Sequence, residues 1–322
     1  MEITITGTNA LTYPHLHIWD WRIAVYLFLG GLTAGLLVMS AIANLRKGKA
    51  ESKDNACCIK GPMYAPFILM LGMVFIWLDL ERKFSAFWFF LSFQPLSPMS
   101  WGSWGLGLII PASFLYGLSV VPPELNDWLR FDILKKIAAY LNPYMRKLAM
   151  LNFGLGIFLG IYTGVLLSAL VARPLWNSSL LPLLFLNSAL SAGAALVILM
   201  ARKTSVKLFF TKVDIWLIVA EIIILLLFFY GHYTSTAPQR NAIMPFFSFT
   251  SEYFLYGVSI ILITIFFPLA LVLKLLEVTE EHGDELSPAA VFKMKLSAYM
   301  VLAGGFIIRF AFVYAGQLSK LS

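Results

Sequence analysis

Eight long apolar runs divide this chain of 322 residues, and the basic residues gather on alternate connections between them. The runs cover approximately residues 18–44, 61–80, 102–121, 148–172, 179–201, 213–232, 254–276 and 294–315. A helix rises about 1.5 Å per residue, so roughly 20 apolar residues cross a hydrocarbon core about 30 Å thick. Every run reaches that length. The connections after the first, third, fifth and seventh runs carry 5, 5, 4 and 3 Lys or Arg, which is 17 of the 24. Arg22, Arg82, Lys83, Arg173, Arg240, Arg309 and Lys320 are the other seven. Positive loops stay on the cytoplasmic side of a membrane. The expectation is therefore an all-α polytopic membrane protein with eight transmembrane helices and both termini outside.

Composition agrees: 60% of residues are hydrophobic, only 13% are charged, and the mean hydropathy is +0.81. These values lie far from soluble-protein averages. The net charge of +7 is carried by the loops, with no basic stripe interleaved with aromatics, so nucleic-acid binding is set aside. No Lys or Arg precedes Arg22, and no separate short apolar core with a cleavage site opens the chain. The first helix is thus expected to be its own insertion signal rather than a removable signal peptide.

Metal and haem chemistry find few ligands. The cysteines are one adjacent pair, Cys57-Cys58, whereas clusters and zinc sites need several spaced thiolates or imidazoles. His15 and His17 precede the first run, His232 ends the sixth, and His282 lies in the acidic loop EEHGDE. A haem held across a helix bundle usually needs a His pair on facing helices at depth. No haem and no metal are expected in this chain.

Two connections carry information. The longest, about 122–147, opens with Pro122-Pro123 and is amphipathic, which predicts an interfacial helix rather than a domain. The outer connection after Leu80 reads ERKFSAFWFFLSFQPLSPMS, with the aromatic density of a segment lying in the headgroup region. Its prolines preclude a regular helix to the end. The chain also hints at two halves, because LFLGGLTAG (27–35) resembles LFLNSALSAG (184–193) with one residue of slippage. Small residues there let helix backbones approach closely. Parallel repeats of four helices, 1–172 and 173–322, are one reading; the likeness of any two helices rich in Gly and Ala is the other.

Ionisable residues within membrane spans are costly and usually face the bundle interior, a partner or a water-filled cavity. Most of them here lie at the outer level: Asp20, Arg22 and Tyr26; Asp79, Glu81, Arg82 and Lys83; Arg173; His232 and Tyr233. With Trp19, Trp21, Trp77, Trp88, Trp101 and Trp104 they describe a pocket with a polar head and apolar walls, which suits a quinone. The bland alternative is that Trp, Tyr, Arg and Lys are interfacial anchors, with Asp79 paired to Arg82 or Lys83. Deeper lie Tyr162, Glu221 and Arg309, with Asp214 near the inner face. Asp214 and Glu221 are seven residues apart, on nearly the same face of one helix. They can relay protons through intervening water, or Glu221 can pair with Arg309 as a structural bridge.

Several segments resemble one known family over nearly the whole chain. IWDWRIAVYLFLGGLTAG (18–35), LDLERKFSAFWFFLSFQPLSPMSWGSW (78–104) and GIYTGVLLSALVARPLWNSSLLPLLFLNSALSAG (160–193) look like the NrfD/polysulfide-reductase membrane subunits. The resemblance implies a haem-free quinone-binding subunit built of two four-helix bundles in a bacterial or archaeal cytoplasmic membrane. It also implies a docked ferredoxin-like iron–sulfur subunit, leading on to a catalytic subunit that is often a molybdopterin enzyme of anaerobic respiration. The family's quinone site lies near the membrane face that meets the iron–sulfur subunit, here the outer, periplasmic face. The matching positions are Asp20, Tyr26, Asp79 and Tyr162. Where the polysulfide-reductase type has Asn and His donors in the first helix, this chain has Ile23 and Tyr26, and His17 offers a substitute.

The resulting expectation is quinol oxidation at the outer face, with menaquinone or ubiquinone as substrate. Tyr162 and one of Tyr26 or His17 hold the head group, and Asp79 or Asp20 accepts protons. Asp214, Glu221 and Arg309 form the expected proton pathway. The rivals are a secondary transporter, which also combines repeated bundles with intramembrane carboxylates, and a passive membrane anchor without a quinone pocket.

Overall fold

A computed structural model describes residues 19–46, 56–121, 132–249, 251, 254–273 and 288–319, and in them the fold is helical throughout. The long elements are α1 (Trp21–Arg46), α2 (Ala56–Asp79), α3 (Pro98–Val120), α5 (Met145–Ser168), α6 (Leu180–Met200), α7 (Thr204–Thr234) and α10 (Pro288–Leu318). These seven are long and apolar enough to cross a membrane. Shorter elements are α4 (Asp132–Leu141), α8 (Ala237–Phe247) and α9, which covers 254–273. α9 starts as an α-helix, Phe254–Ser259, and widens into a π-helix over Ile260–Phe266. The apolar run expected at 254–276 is therefore helical as far as Leu273, but its winding is not uniform.

Local chemistry explains the boundaries. Pro98 sits in the first turn of α3, where its missing N–H costs nothing, and Ser97 precedes it in an extended conformation. α5 ends at Ser168, earlier than the 172 expected, because 169–173 fold into successive tight turns ahead of Pro174. α4 exposes Ile133 and Tyr140 and buries Ala138, the amphipathic pattern its sequence predicts. The connection 80–100 contains a 3-10 turn at Lys83–Ser85 and a single helical turn at Trp88–Leu91. It is pinned by Ser100 Oγ, which accepts from the Gln94 N–H at 2.9 Å and donates to the Ser92 carbonyl at 3.3 Å.

α1 runs through the centre of the assembly, packed on α2, α5, α6 and α10, and α6 packs in turn on α5, α7 and α10. Lipid tails are as apolar as Leu, so helices in a membrane gain little by merely hiding apolar surface and associate by close backbone packing. The α1–α6 contact shows how. A Cβ added to Gly35 would overlap the Ala189 carbonyl, and one added to Gly193 would overlap the backbone of Gly35. The two similar segments, 27–35 and 184–193, thus meet face to face at the middle of the molecule.

Candidate functional site

Two buried polar centres flank that contact. The first is enclosed by α1, α2, α3 and α5. Tyr26 of α1 is 4% exposed and Tyr162 of α5 is 6% exposed. The two phenols lie within electrostatic reach of each other. Tyr162 stacks on Phe158 at 6.1 Å, one turn away, and its hydroxyl rests on Gly102 of α3, where any side chain would collide with it. The Tyr26 ring packs beside Gly72 of α2. Asp79, seven residues beyond Gly72 and so on nearly the same face, is the last residue of α2. Glycines at positions 72 and 102 make room for the rings, so the site depends on backbone proximity as much as on the phenols.

Asp79 is half-buried and, among the described residues, forms no salt bridge with Arg82 or Lys83. Lys83 instead lies over the Trp77 ring at 5.8 Å, and the Trp77 indole donates to the Lys83 carbonyl at 3.1 Å. Asp20 is exposed at the start of α1. His17 lies outside the described residues. Tyr162 stands six residues from the end of α5, about 9 Å, and not the three turns in that the longer predicted run implied.

Of the tryptophans expected around the pocket, Trp21, Trp77, Trp88, Trp101 and Trp104 are all exposed. Trp101 and Trp104 are about half exposed, and the Trp101 indole donates to the Pro95 carbonyl at 2.6 Å. Trp19 stacks on Trp176 at 5.3 Å. Arg173, expected near the polar head of the pocket, donates to the carbonyls of Gln317 and Ser319, and the Trp176 indole donates to the Phe312 carbonyl at 2.7 Å. The Arg-Pro-Leu-Trp segment therefore ties the α5–α6 turn to the end of α10. Sequence reasoning missed this structural role of the buried Trp176.

The second centre lies where α7 and α10 meet α6 and α1. Arg309 is completely buried. Its guanidinium lies against Gly31, between the rings of Phe28 (5.9 Å) and Phe185 (5.5 Å). It donates to the carbonyls of Leu27 (3.1 Å), Gly305 (2.8 Å) and Phe185 (3.4 Å), and to Ser188 Oγ (3.1 Å). The Glu221 carboxylate lies near Ser188. No Glu221–Arg309 ion pair within 4 Å is present among the described residues, so the direct bridge weighed from the sequence does not form, and Arg309 donates to Ser188 instead. Glu221 Oε1 has no partner among the described residues. One helical level away, Ser191 donates to Asp214 Oδ1 at 2.5 Å, and the Asn187 amide donates to the Leu217 carbonyl at 2.9 Å.

Asn187, Ser188 and Ser191 were missed as partners of α7. Their spacing of three and four along α6 was the available signal. No group of three or more His, Cys, Asp or Glu placed to hold a metal occurs among the described residues.

Known proteins share this sequence along most of its length. Residues 9–319 match the family model described as polysulphide reductase, NrfD. The C component of polysulfide reductase from Wolinella succinogenes is 34% identical over 317 residues, covering 93% of this chain and 94% of that protein. Protein NrfD of Escherichia coli is 29% identical over 98% of this chain and 99% of its own length. The C component of tetrathionate reductase from Salmonella typhimurium is 27% identical over 62% of this chain and 54% of that protein.

Proposed function

As a member of the NrfD polysulphide reductase family, the chain is a multi-pass membrane subunit of an oxidoreductase, and we propose that it is the subunit that oxidises quinol. The observation that carries this reading is the pair of buried tyrosines, Tyr26 and Tyr162, set within electrostatic reach of each other and packed beside Gly72 and Gly102. Two phenols brought together inside a helix bundle suit a site that takes a polar ligand. Each phenol can both donate and accept, which matches the hydroxyl groups of a quinol and the carbonyls of its product.

Oxidation removes two electrons and two protons from the quinol. Tyr162 and Tyr26 hold the head group, with its tail between the apolar walls of the bundle. Asp79, not bridged to Arg82 or Lys83, is the base on the outward side. A base must come within hydrogen-bond reach of the hydroxyl it deprotonates, directly or through one water. The electrons pass to an iron–sulfur subunit docked at that face and on to a catalytic subunit. The exposed Phe84, Trp88, Leu91 and Leu96 of the 80–100 connection supply an apolar patch for such a partner. Residues 254–273 are read as the eighth crossing, which places both termini outside and gives two bundles, 1–172 and 173–322. Asp214, Glu221 and Arg309 serve proton movement in the second bundle.

Photolabelling of the purified complex with an azido-quinone tests the proposal. Label on the peptides containing Tyr26 or Tyr162, displaced by excess quinone, is expected. Label confined to other helices contradicts this placement. Solute-dependent transport with no quinone effect would favour a transporter, and full quinol turnover in complexes lacking any labelled site on this chain would favour a passive anchor.

A further inference from the structure

α7 carries more polar chemistry on its buried face than the Asp214–Glu221 pair. Its buried positions include Thr211, Asp214, Ile218, Glu221, Leu225, Phe228 and His232. The steps alternate three and four residues, so all seven lie on one stripe. From Thr211 to His232 the stripe rises about 31 Å, close to the thickness of a hydrocarbon core. Thr211, Asp214, Glu221 and His232 are each at most 3% exposed.

Three of these groups present an atom with no hydrogen-bond partner among the described residues: Thr211 Oγ1, Glu221 Oε1 and His232 Nε2. The histidine is oriented. Its Nδ1 lies 2.9 Å from the Phe228 carbonyl, which can only accept, so Nδ1 carries the proton and Nε2 is left as a buried acceptor. Its ring packs on Phe228 at 4.1 Å.

Between Glu221 and His232 the stripe is apolar over a rise of about 16 Å. Phe228, Phe312 of α10 and Phe185 of α6 fill that interval, each 0% exposed. Phe228 meets Phe312 at 5.2 Å, and Phe185 meets Phe312 at 6.3 Å. The Phe185 ring also faces the Arg309 guanidinium, so the aromatic layer begins where the polar centre ends.

We infer that α7 carries a proton route in two parts, with His232 as the proton-accepting group on the far side of an apolar seal formed by Phe185, Phe228 and Phe312. The near part runs from Thr211 through Asp214 and Ser191 to Ser188 and Glu221. The seal keeps the two parts from short-circuiting, because packed aromatic rings offer a proton no side-chain acceptor. Transfer to His232 requires the rings to part and admit water. The inference rests on the proton-handling reading of Asp214 and Glu221, and goes beyond it by assigning the far terminus and the barrier.

The test uses the assembled complex in proteoliposomes without quinol, with a pH-sensitive dye inside and an imposed pH gradient. Phe228→Ser should raise passive proton entry several-fold, and Phe228→Leu should not. If Phe228→Ser fails to assemble, Phe312→Ser opens the same layer. Adding Glu221→Gln or His232→Leu to the leaking variant should return the leak toward wild type. Wild-type proton entry in the serine variant overturns the inference; so does a leak indifferent to Glu221 and His232, which marks a merely loosened bundle. Because no quinol is present, failure here is distinguishable from failure of the Tyr26–Tyr162 site.

Discussion

The guanidinium of Arg309 lies directly against Gly31, on a helix 278 positions earlier in the chain, and no larger residue fits there. That contact seats α10 against the two central helices, and the arginine's hydrogen bonds to the Leu27 and Phe185 carbonyls stitch α1 to α6. Arg309→Leu keeps bulk but removes the charge-assisted hydrogen bonds that join α10 to α1 and α6, at about 1.5–3 kcal/mol each. Thermal unfolding in detergent should show a clearly lowered midpoint. Arg309→Lys should rescue little, since a point-like ammonium cannot span the acceptors that a planar fork reaches. A midpoint unchanged in Arg309→Leu would remove the arginine from the structural core.

Glu221→Gln should slow proton-coupled turnover while leaving quinone affinity nearly unchanged. The amide keeps the shape of the side chain beside Ser188 but cannot carry a proton between acid and base forms. Steady-state rate and proton stoichiometry in vesicles check this. Wild-type values for both would make Glu221 idle or structural.

The general architecture was legible because membrane spans depend on length, apolarity and loop charge, all of which are written locally in the chain. The seven long helices coincide with expected runs, although α7 begins at Thr204 rather than 213. What the sequence hid was partnership. Asp214 and Glu221 could be paired by helical spacing, but Ser188 and Ser191 come from another helix, and their contact depends on how α6 and α7 pack. Arg173 was read as an outer-level polar group, and the role of Trp176 was missed, for a similar reason. A polar residue at the outer level has the same sequence signature whether it faces a pocket or caps the end of a neighbouring helix.

Asp79→Asn preserves volume and removes the carboxylate. With no salt bridge to Arg82 or Lys83 to lose, the variant should fold normally. It should depress quinol turnover more than it raises KM, since the loss falls on proton transfer. An equal effect on binding and turnover would reassign Asp79 to holding the substrate.

The alternate placement of basic loops predicts that reporter fusions after Lys53 and after Ser322 report opposite sides of the membrane. Agreement between the two fusions would overturn the topology and the outward placement of the Tyr26–Tyr162 site.

The central claim is that the two buried phenols bind the quinol head group, and the steady-state kinetics of Tyr162→Phe in the assembled complex test it most directly. The substitution removes one hydroxyl and keeps the ring stacked on Phe158 above Gly102. Loss of one such hydrogen bond, about 1.4 kcal/mol, corresponds to about a tenfold fall in quinol kcat/KM. Tyr26→Phe should act in the same direction. Wild-type quinol kinetics in both variants, with the iron–sulfur partner still bound, would contradict the account and move the site elsewhere.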